Sequence, residues 1–227
     1  MGSVDVKIEQ GAESDTLVSA FTYIPDVVFH NADSKVSPEA SATATVDAPS
    51  NLSDGDLVIL VRHDSNANSA AAPAGFTEIV DAFNPGGGNV GRVVAWYRIA
   101  SSEPASYDVT LKNWGYASAH RVTGFNPANP IADSQGAFNT SDTTSLAIPE
   151  ITAPNGAALV SVLAGRLDHG GGLSIDGSMS IVVDRSNFGF AGAAFDSGLS
   201  SGATGTRTWT WTTARRAAAA LFAINPG

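Results

Sequence analysis

Residues 56–60 read Asp-Leu-Val-Ile-Leu, and residues 157–161 read Ala-Ala-Leu-Val-Ser. The first run follows the turn cluster Asn51-Leu-Ser-Asp-Gly55. A short apolar run bounded by turn residues is typical of a buried β-strand. Because the two runs stand about a hundred residues apart and resemble each other, they indicate an internal repeat.

Four further pairs of segments match in the same order, each at an offset of about a hundred residues. They are Glu78–Asp81 with Ile181–Asp184, Val94–Tyr97 with Gly192–Phe195, Val109–Leu111 with Trp209–Trp211, and Phe125–Pro127 with Ile224–Pro226. This order predicts two halves of four strands each, over residues 44–130 and 145–227.

The side-chain pattern within the runs also favours strands. Val109 and Leu111 share a face, as do Trp209 and Trp211, because side chains alternate along a strand with a period of two. The alanine-rich Ala214–Phe222 has no clear helix cap, so we read residues 206–224 as strand. Neither half could cover its sheet faces and edges alone. We therefore expect an all-β fold: a jelly-roll-like antiparallel β-sandwich of eight strands or slightly more, built from two repeated halves.

The first 43 residues do not fit the repeat. Within them, Thr16–His30 is apolar enough to pack against other structure. Two alternatives stay open: an extra strand that closes the sandwich edge, or a segment that docks on a neighbouring protein by strand addition. We assign residues 1–43 to an N-terminal arm or docking segment, and residues 44–227 to the sandwich domain.

The composition excludes several classes of function. The chain has 227 residues, with 22 acidic and 12 basic side chains, a net charge of −10 and no cysteine. The lack of cysteine excludes disulfide scaffolds and thiolate metal sites. The acidic balance argues against a nucleic-acid partner and against an anionic membrane surface. The N-terminus lacks the regions of a signal peptide, so we expect release by lysis or by particle assembly, without membrane insertion.

Motifs for catalysis are weak. Gly198-Leu-Ser-Ser-Gly202 fits the hydrolase pattern G-x-S-x-G, but that motif needs a histidine later in the chain, and all four histidines precede Ser200. The histidines also lie too far apart in sequence for a local metal cluster, which favours packing or hydrogen-bonding roles. We therefore predict no catalytic residue and no enzyme activity.

Two candidate binding sites remain. Trp114 and Tyr116 stand between two predicted strands, so we expect their rings in an exposed loop, where they could stack on a sugar. Asp64 and Asn66 belong to the turn segment Asp64-Ser-Asn-Ala-Asn68, whose side-chain oxygens are ligands that Ca²⁺ prefers. They are the candidate calcium ligands, and calcium is the one cofactor that the sequence suggests.

An ordered series of short motifs carries a resemblance to a known family. The motifs are Gly55-Asp-Leu-Val-Ile-Leu60, Pro73-Ala-Gly-Phe-Thr77, Val94-Ala-Trp-Tyr-Arg-Ile99, Glu103-Pro-Ala-Ser-Tyr107 and Arg121-Val-Thr-Gly-Phe125. This series resembles a domain of tailed-bacteriophage virion proteins, which occurs in decoration, head-fibre and tail-fibre chains. The resemblance covers residues 44–226.

The resemblance implies a non-enzymatic virion structural protein: a capsid decoration, spike or fibre subunit mounted through its N-terminal segment. Its loops would face the host surface or neighbouring subunits. Implied partners are other virion proteins at residues 1–43, further copies of the chain (a trimer is favoured) and a host glycan, at the surface of the virion. The alternative is a carbohydrate-binding, lectin-like module that works outside the cell.

Overall fold

A computed structural model describes residues 2–10, 13–23, 26–37, 42–65, 71–83, 91–111, 115–186 and 189–227; of residues 2–10 and 13–23 it describes the backbone. The N-terminal segment contains β1 (Gly2–Gln10), β2 (Glu13–Tyr23), β3 (Val28–Phe29), a 3-10 turn (Asn31–Asp33) and β4 (Lys35–Val36). Among these described residues, no helix is long and apolar enough to cross a membrane.

The two halves contain the remaining strands. The first half has β5 (Thr43–Asp47), β6 (Leu57–Asp64), β7 (Thr77–Phe83), β8 (Arg92–Ile99), β9 (Ser106–Thr110) and β10 (Gly115–Thr123). The second half has β11 (Ile131–Phe138), β12 (Thr143–Ile148), β13 (Thr152–Ala153), β14 (Ala158–Arg166), β15 (Ser174–Ile175), β16 (Ser180–Ser186), β17 (Gly189–Asp196), β18 (Gly202–Ala203), β19 (Arg207–Arg215) and β20 (Ala217–Ile224).

Each half is built around one large antiparallel sheet. The strand order is β3-β10-β6-β8-β7 in the first sheet, where β4 also pairs with β10, and β11-β20-β14-β17-β16 in the second. A smaller sheet accompanies each of them, β5-β9 in the first half and β12-β19-β15 in the second. The prediction of an all-β antiparallel sandwich made of two halves is confirmed.

Three apolar layers hold the sheets together. The middle layer lies between the two large sheets and joins residues such as Ile59 and Val61 to Val160, Val162 and Phe222. The outer face of the first sheet packs under β5 and β9, and the outer face of the second packs under β12 and β19. Each large sheet is therefore covered on both faces, which explains why β6 and β20 are buried along their whole length and β14 is buried up to Gly165.

The predicted repeat is visible in the strand registers. In the first sheet Val58 pairs with Arg98 and Asp81 pairs with Val94. At the corresponding places in the second sheet Leu159 pairs with Asp196 and Asp184 pairs with Gly192. Both sheets also shift register at the same point, after Glu78 and after Ile181. Because a register error would turn every side chain to the other face, this agreement shows that the halves are equivalent.

One of the five matched pairs of segments, Phe125–Pro127 with Ile224–Pro226, is misaligned by three residues. Val122 pairs with Leu57 and Ile224 pairs with Ala158, so Ile224 corresponds to Val122 and not to Phe125. Gly124, with φ +76°, bends the chain after β10, and a side chain there would collide with the Asp26 carbonyl. Asn-Pro recurs because it ends a strand in both halves, and the two segments lie side by side, with a bridge between Phe125 and Pro226.

The strand predicted over residues 206–224 is two strands. Arg216 separates β19 from β20, and the two belong to different sheets. The strand assignment of the alanine-rich run is correct, because Ala217–Ile224 is β20. Its small side chains let the large sheets approach closely: a side chain on Gly91 would collide with the backbone of Ala164 and Ala218.

The N-terminal segment divides into two parts. Residues 28–36 form the edge of the first sheet, where β3 and β4 pair with β10 in the place that β11 has beside β20. Residues 2–23 form a hairpin in which β1 pairs with β2. In the described part of the chain, neither of these two strands pairs with a strand of the sandwich. Edge closure is therefore the role of residues 28–36.

Candidate functional site

The expected aromatic loop site is not formed as predicted. Tyr116 is the second residue of β10, its side chain is 4 % exposed, and it belongs to the middle apolar layer. The prediction of a loop position for Tyr116 is wrong, because β10 begins at Gly115, which pairs with Asp64. A ring buried in this way has no free face for a sugar. Trp114 lies outside the described residues.

The expected calcium ligand Asp64 is the last residue of β6 and is fully buried. Its carboxylate accepts a hydrogen bond from the equally buried Arg62 guanidinium. A carboxylate whose charge is balanced in this way lacks the open coordination that Ca²⁺ needs. Asn66 lies outside the described residues. In the part of the chain that the structure describes, no group of three or more His, Cys, Asp or Glu residues could hold a metal ion.

A second ion pair lies beside the first. Arg92 is paired across the strands with Asp64, and its guanidinium donates to both carboxylate oxygens of Asp81, with Nε 2.8 Å from Oδ1. It also lies over the ring of Phe83, 4.6 Å from the centroid. Among the residues that the structure describes, Nε and Nη1 of Arg62 find no hydrogen-bond partner, which makes the Arg62–Asp64 pair costly to bury.

The inner face of the same sheet carries a buried hydrogen-bond chain, which sequence reasoning missed. His63 Nδ1 is 2.8 Å from the Leu163 carbonyl oxygen, and His63 Nε2 is 3.0 Å from Ser118 Oγ. His120 Nε2 is 2.9 Å from the same Ser118 oxygen, and His120 Nδ1 is 2.9 Å from Ser34 Oγ. The chain joins the N-terminal segment, the first half and the second half.

The carbonyl at one end fixes the direction of every bond in this chain. Since a carbonyl can only accept, His63 Nδ1 donates and His63 Nε2 accepts from Ser118. Ser118 has one proton, so its oxygen accepts from His120 Nε2, and His120 Nδ1 accepts from Ser34. Burial lowers the pKa of His63 to about 4 and that of His120 to about 3, so both rings are neutral at pH 7.

This arrangement has the bond pattern of a proton relay, but Ser118 and both histidines are buried. Two cavities that the structure describes, of about 270 and 410 Å³, are lined by other residues, such as Asp54 and Glu103 in one and Asp133 and Asn225 in the other. The hydrogen-bond chain therefore links the N-terminal segment to both halves of the sandwich. The signal that could have found it is register, since Tyr116 pairs with His63 and places Ser118 and His120 on the neighbouring strand.

The ends of the large sheets define two opposite ends of the sandwich. We call the loop end the one where β6, β7, β14 and β16 finish and β8, β10, β17 and β20 begin. Both halves share it, because His63 reaches the Leu163 carbonyl and a Cβ on Gly189 would lie 3.5 Å from that of Ser65. We call the other the arm end: there the N-terminal segment enters, with Asp26 against Gly124.

At the loop end of the second half, a short loop after β14 is tightly held. His169 is buried, and its Nε2 lies 3.2 Å from Asp184 Oδ1. The other oxygen of Asp184 accepts from the Leu173 N–H at 3.0 Å. Asp168 accepts from the Ser186 hydroxyl and from the Gly170 N–H, and these two hydrogen bonds lower its pKa. The loop end of the second half therefore presents a fixed polar surface.

Comparison with protein families, with curated proteins and with solved structures finds no match to this chain.

Proposed function

We propose that this protein is a non-enzymatic structural subunit of a tailed-bacteriophage particle: a capsid decoration, spike or fibre subunit. It is mounted through its N-terminal hairpin and presents its loop end to the host surface or to neighbouring subunits. The observation that carries the proposal is the hairpin of residues 2–23, whose strands pair with each other while the sandwich strands pair among themselves.

The hairpin supports attachment because its sequence offers apolar residues on a two-stranded ribbon that a partner could cover. Its register sets Val4 opposite Phe21 and Val6 opposite Leu17, so apolar residues recur at alternate positions of one ribbon. A two-stranded ribbon is marginally stable alone in water. Packing against another virion protein, or against the same segment of further copies in a trimer, would supply the missing contacts.

The place where the N-terminal segment enters the sandwich supports an outward-facing loop end. The N-terminal segment enters beside Gly124, just after β10, whereas the loops gather where β10 begins. Nine residues of β10 at ~3.4 Å each separate the two ends by about 30 Å. A subunit held at the arm end therefore extends its loop end away from the particle.

Residues 28–36, which follow the hairpin in the sequence, are held to the sandwich by several contacts. Arg121 binds Asp33 of the N-terminal segment at 3.0 Å and Asp56 of the first half at 2.7 Å. Phe29 stacks on Phe195 of the second half, and its ring also contacts His120. Several independent contacts on this short segment would keep the sandwich attached to the N-terminal hairpin when the hairpin is bound to a particle.

Deletion of residues 2–23 tests the proposal. The deletion leaves β3 and β4 in place, so we expect a folded sandwich whose circular dichroism and melting temperature match those of the full chain. It should fail to bind particles assembled without the protein, whereas the full chain restores binding. The control is Asp108→Asn, a substitution at an exposed position of β9 outside the hairpin and the arginine-rich part of the loop end, which should bind such particles normally. Particle binding by the deleted chain would contradict the proposal.

A further inference from the structure

The loop end differs in charge from the rest of the molecule. Its described residues include six arginines and five aspartates, which gives a formal charge of +1: Arg62, Arg92, Arg166, Arg185, Arg215 and Arg216, with Asp64, Asp81, Asp142, Asp168 and Asp184. The other residues of the sequence include six basic and seventeen acidic side chains, a formal charge of −11. An acidic protein thus concentrates its arginines at one end.

The arginines of the two halves have different partners. In the first half, Arg62 and Arg92 are buried and paired with aspartates. In the second half, Asp168 and Asp184 are occupied by hydroxyl, amide and imidazole donors. Among the residues that the structure describes, neither carboxylate forms an ion pair with a nearby guanidinium group, although the positive charge of Arg215 helps to lower the pKa of Asp168.

Three arginines at the loop end of the second half have no ion-pair partner in the described part of the chain, and a fourth has a weak one. Arg166, Arg185 and Arg215 make no ion pair with any residue that the structure describes. Arg215 donates instead to the carbonyls of Asp168 and Ala214. Arg216 reaches Asp142 at 3.7 Å, with side chains 38 % and 64 % exposed, a pair that contributes little in water.

Three of these arginines lie along neighbouring strands of the second large sheet, and Arg215, the last residue of β19, directly precedes Arg216 in the sequence. The Arg166 N–H donates to the Arg216 carbonyl at 3.4 Å, which places β14 beside the start of β20. Arg166 pairs with Gly189 of β17, and Arg185 pairs with Ala191 of the same strand from its other side. With strands ~4.8 Å apart, Arg216, Arg166 and Arg185 span roughly 15 Å along the rim of the second sheet.

We propose that this row, Arg166, Arg185, Arg215 and Arg216, binds an anionic polysaccharide through its carboxylate or phosphate groups. The inference rests on the proposed function and names the class of surface that the loop end meets. The planar guanidinium fork matches such oxyanions and keeps its charge at every physiological pH. The exposed Thr212 at the same end can exchange hydrogen bonds with sugar hydroxyls.

The charge of the remaining chain argues against a nucleic acid. Duplex DNA carries one negative charge per ~1.7 Å, and the body at −11 repels so dense a polyanion. A polysaccharide with sparser charges can meet the arginine row while the acidic body stays beyond the Debye length, about 10 Å at 0.1 M salt. The hydroxyl groups of a polysaccharide can also form hydrogen bonds with the polar side chains of the loop end, which the phosphates of DNA would not use.

The test measures binding of the full chain to immobilised polymers by biolayer interferometry. The probes are polygalacturonate, which carries carboxylates, poly(glycerol phosphate), neutral dextran and a duplex DNA. We expect binding to one or both anionic polysaccharides, which also identifies the group recognised, and none to dextran. Raising NaCl from 50 to 300 mM should weaken this binding at least tenfold.

Two charge-matched variants localise the effect. Arg185→Gln with Arg216→Gln should weaken binding at least fivefold, whereas Lys7→Gln with Lys35→Gln, which removes the same charge elsewhere, should change it less than twofold. Equal losses in the two variants, tighter binding to DNA, equal binding to dextran, or salt-dependent self-association of the chain as the sole interaction would each overturn the inference. A chain that associates with particles through its hairpin but binds neither anionic polysaccharide overturns this inference and leaves the proposed function standing.

Discussion

The two halves share a backbone but differ in what they bury at the loop end. Registers and the bulge agree, yet Arg62, Asp64 and Arg92 of the first half correspond to Leu163, Gly165 and Phe190 of the second. On the inner face, Ser118 and His120 correspond to Ala220 and Phe222. In the second half, the rings of Trp211 and His169 pack against Phe190, one of these apolar residues.

This difference shows that strand pairing and register preserve the architecture, while the chemistry beneath the loops is free to vary. One position near the loop end has the same residue in both halves, because Asp81 corresponds to Asp184. Each of these carboxylates accepts hydrogen bonds from residues of its own half. The polar half gains the link to the N-terminal segment through Ser34, and the apolar half leaves its arginines at the surface.

The largest expected difference between the halves is in their response to acid. His63 and His120 have pKa values of about 4 and about 3 in the folded state, below the value of 6.5 that they regain on unfolding. The unfolded chain therefore binds protons first, and stability falls as the pH drops below 6.5. At ~1.4 kcal/mol per pH unit, each histidine lowers the free energy of unfolding by roughly 3 kcal/mol between pH 6.5 and 4.

Urea unfolding at several pH values checks this expectation. The variant His120→Phe, which copies the second half, should show about half of the wild-type pH dependence. The pKa values of Asp33 and Asp168 are also lowered, so their contribution is lost below pH 3.8, outside the range compared. A stability that stays constant from pH 7 to pH 4 would mean that the two rings are not buried as neutral groups.

The next effect concerns the buried ion pair. Arg62→Leu copies Leu163 and leaves the Asp64 carboxylate without its guanidinium, which should cost about 3–5 kcal/mol of unfolding free energy. The double variant Arg62→Leu with Asp64→Ala removes both charges and should be more stable than the single one. Chemical denaturation of both variants tests this, and a single variant within about 1 kcal/mol of wild type would contradict it.

The smallest effect lies in the second half. Ser161 accepts a hydrogen bond from Trp209 Nε1 at 2.8 Å, and the corresponding residue of the first half is Leu60. Ser161→Ala leaves the buried indole N–H unpaired and should cost about 1–3 kcal/mol. Adding Trp209→Phe removes the orphaned donor, so the double variant should lose less than the two single losses together. Additive losses in thermal unfolding would show that this hydrogen bond contributes nothing.

The sequence predicted the parts of the fold that depend on alternation and repetition. Matched pairs such as Glu78 with Ile181 correspond in the structure to the register and to the bulge beside it. The sequence did not reveal the change of sheet at Arg216, because a partly exposed arginine between an alternating run and an alanine run also fits a continuous strand.

The candidate sites were harder to predict, because they depend on where a strand begins. The sequence pattern started this strand at Ala117, whereas β10 begins at Gly115. This difference of two residues places Tyr116 inside the strand, so its ring is in the core and not in solvent. Aspartate is common in turns, so the sequence alone placed Asp64 in a turn. Its partner Arg62 lies two positions earlier on the same face of the strand. The two residues can be recognised as a buried ion pair only when it is known that other strands cover that face.

Cryo-electron microscopy of particles that carry the protein tests the central claim most directly, because it shows which end of the sandwich is attached. We predict that density for the hairpin of residues 2–23 merges with the particle and that the loop end, with residues 167–173, points outward. A sandwich attached by its loop end, with the hairpin free in solvent, would contradict the proposed function.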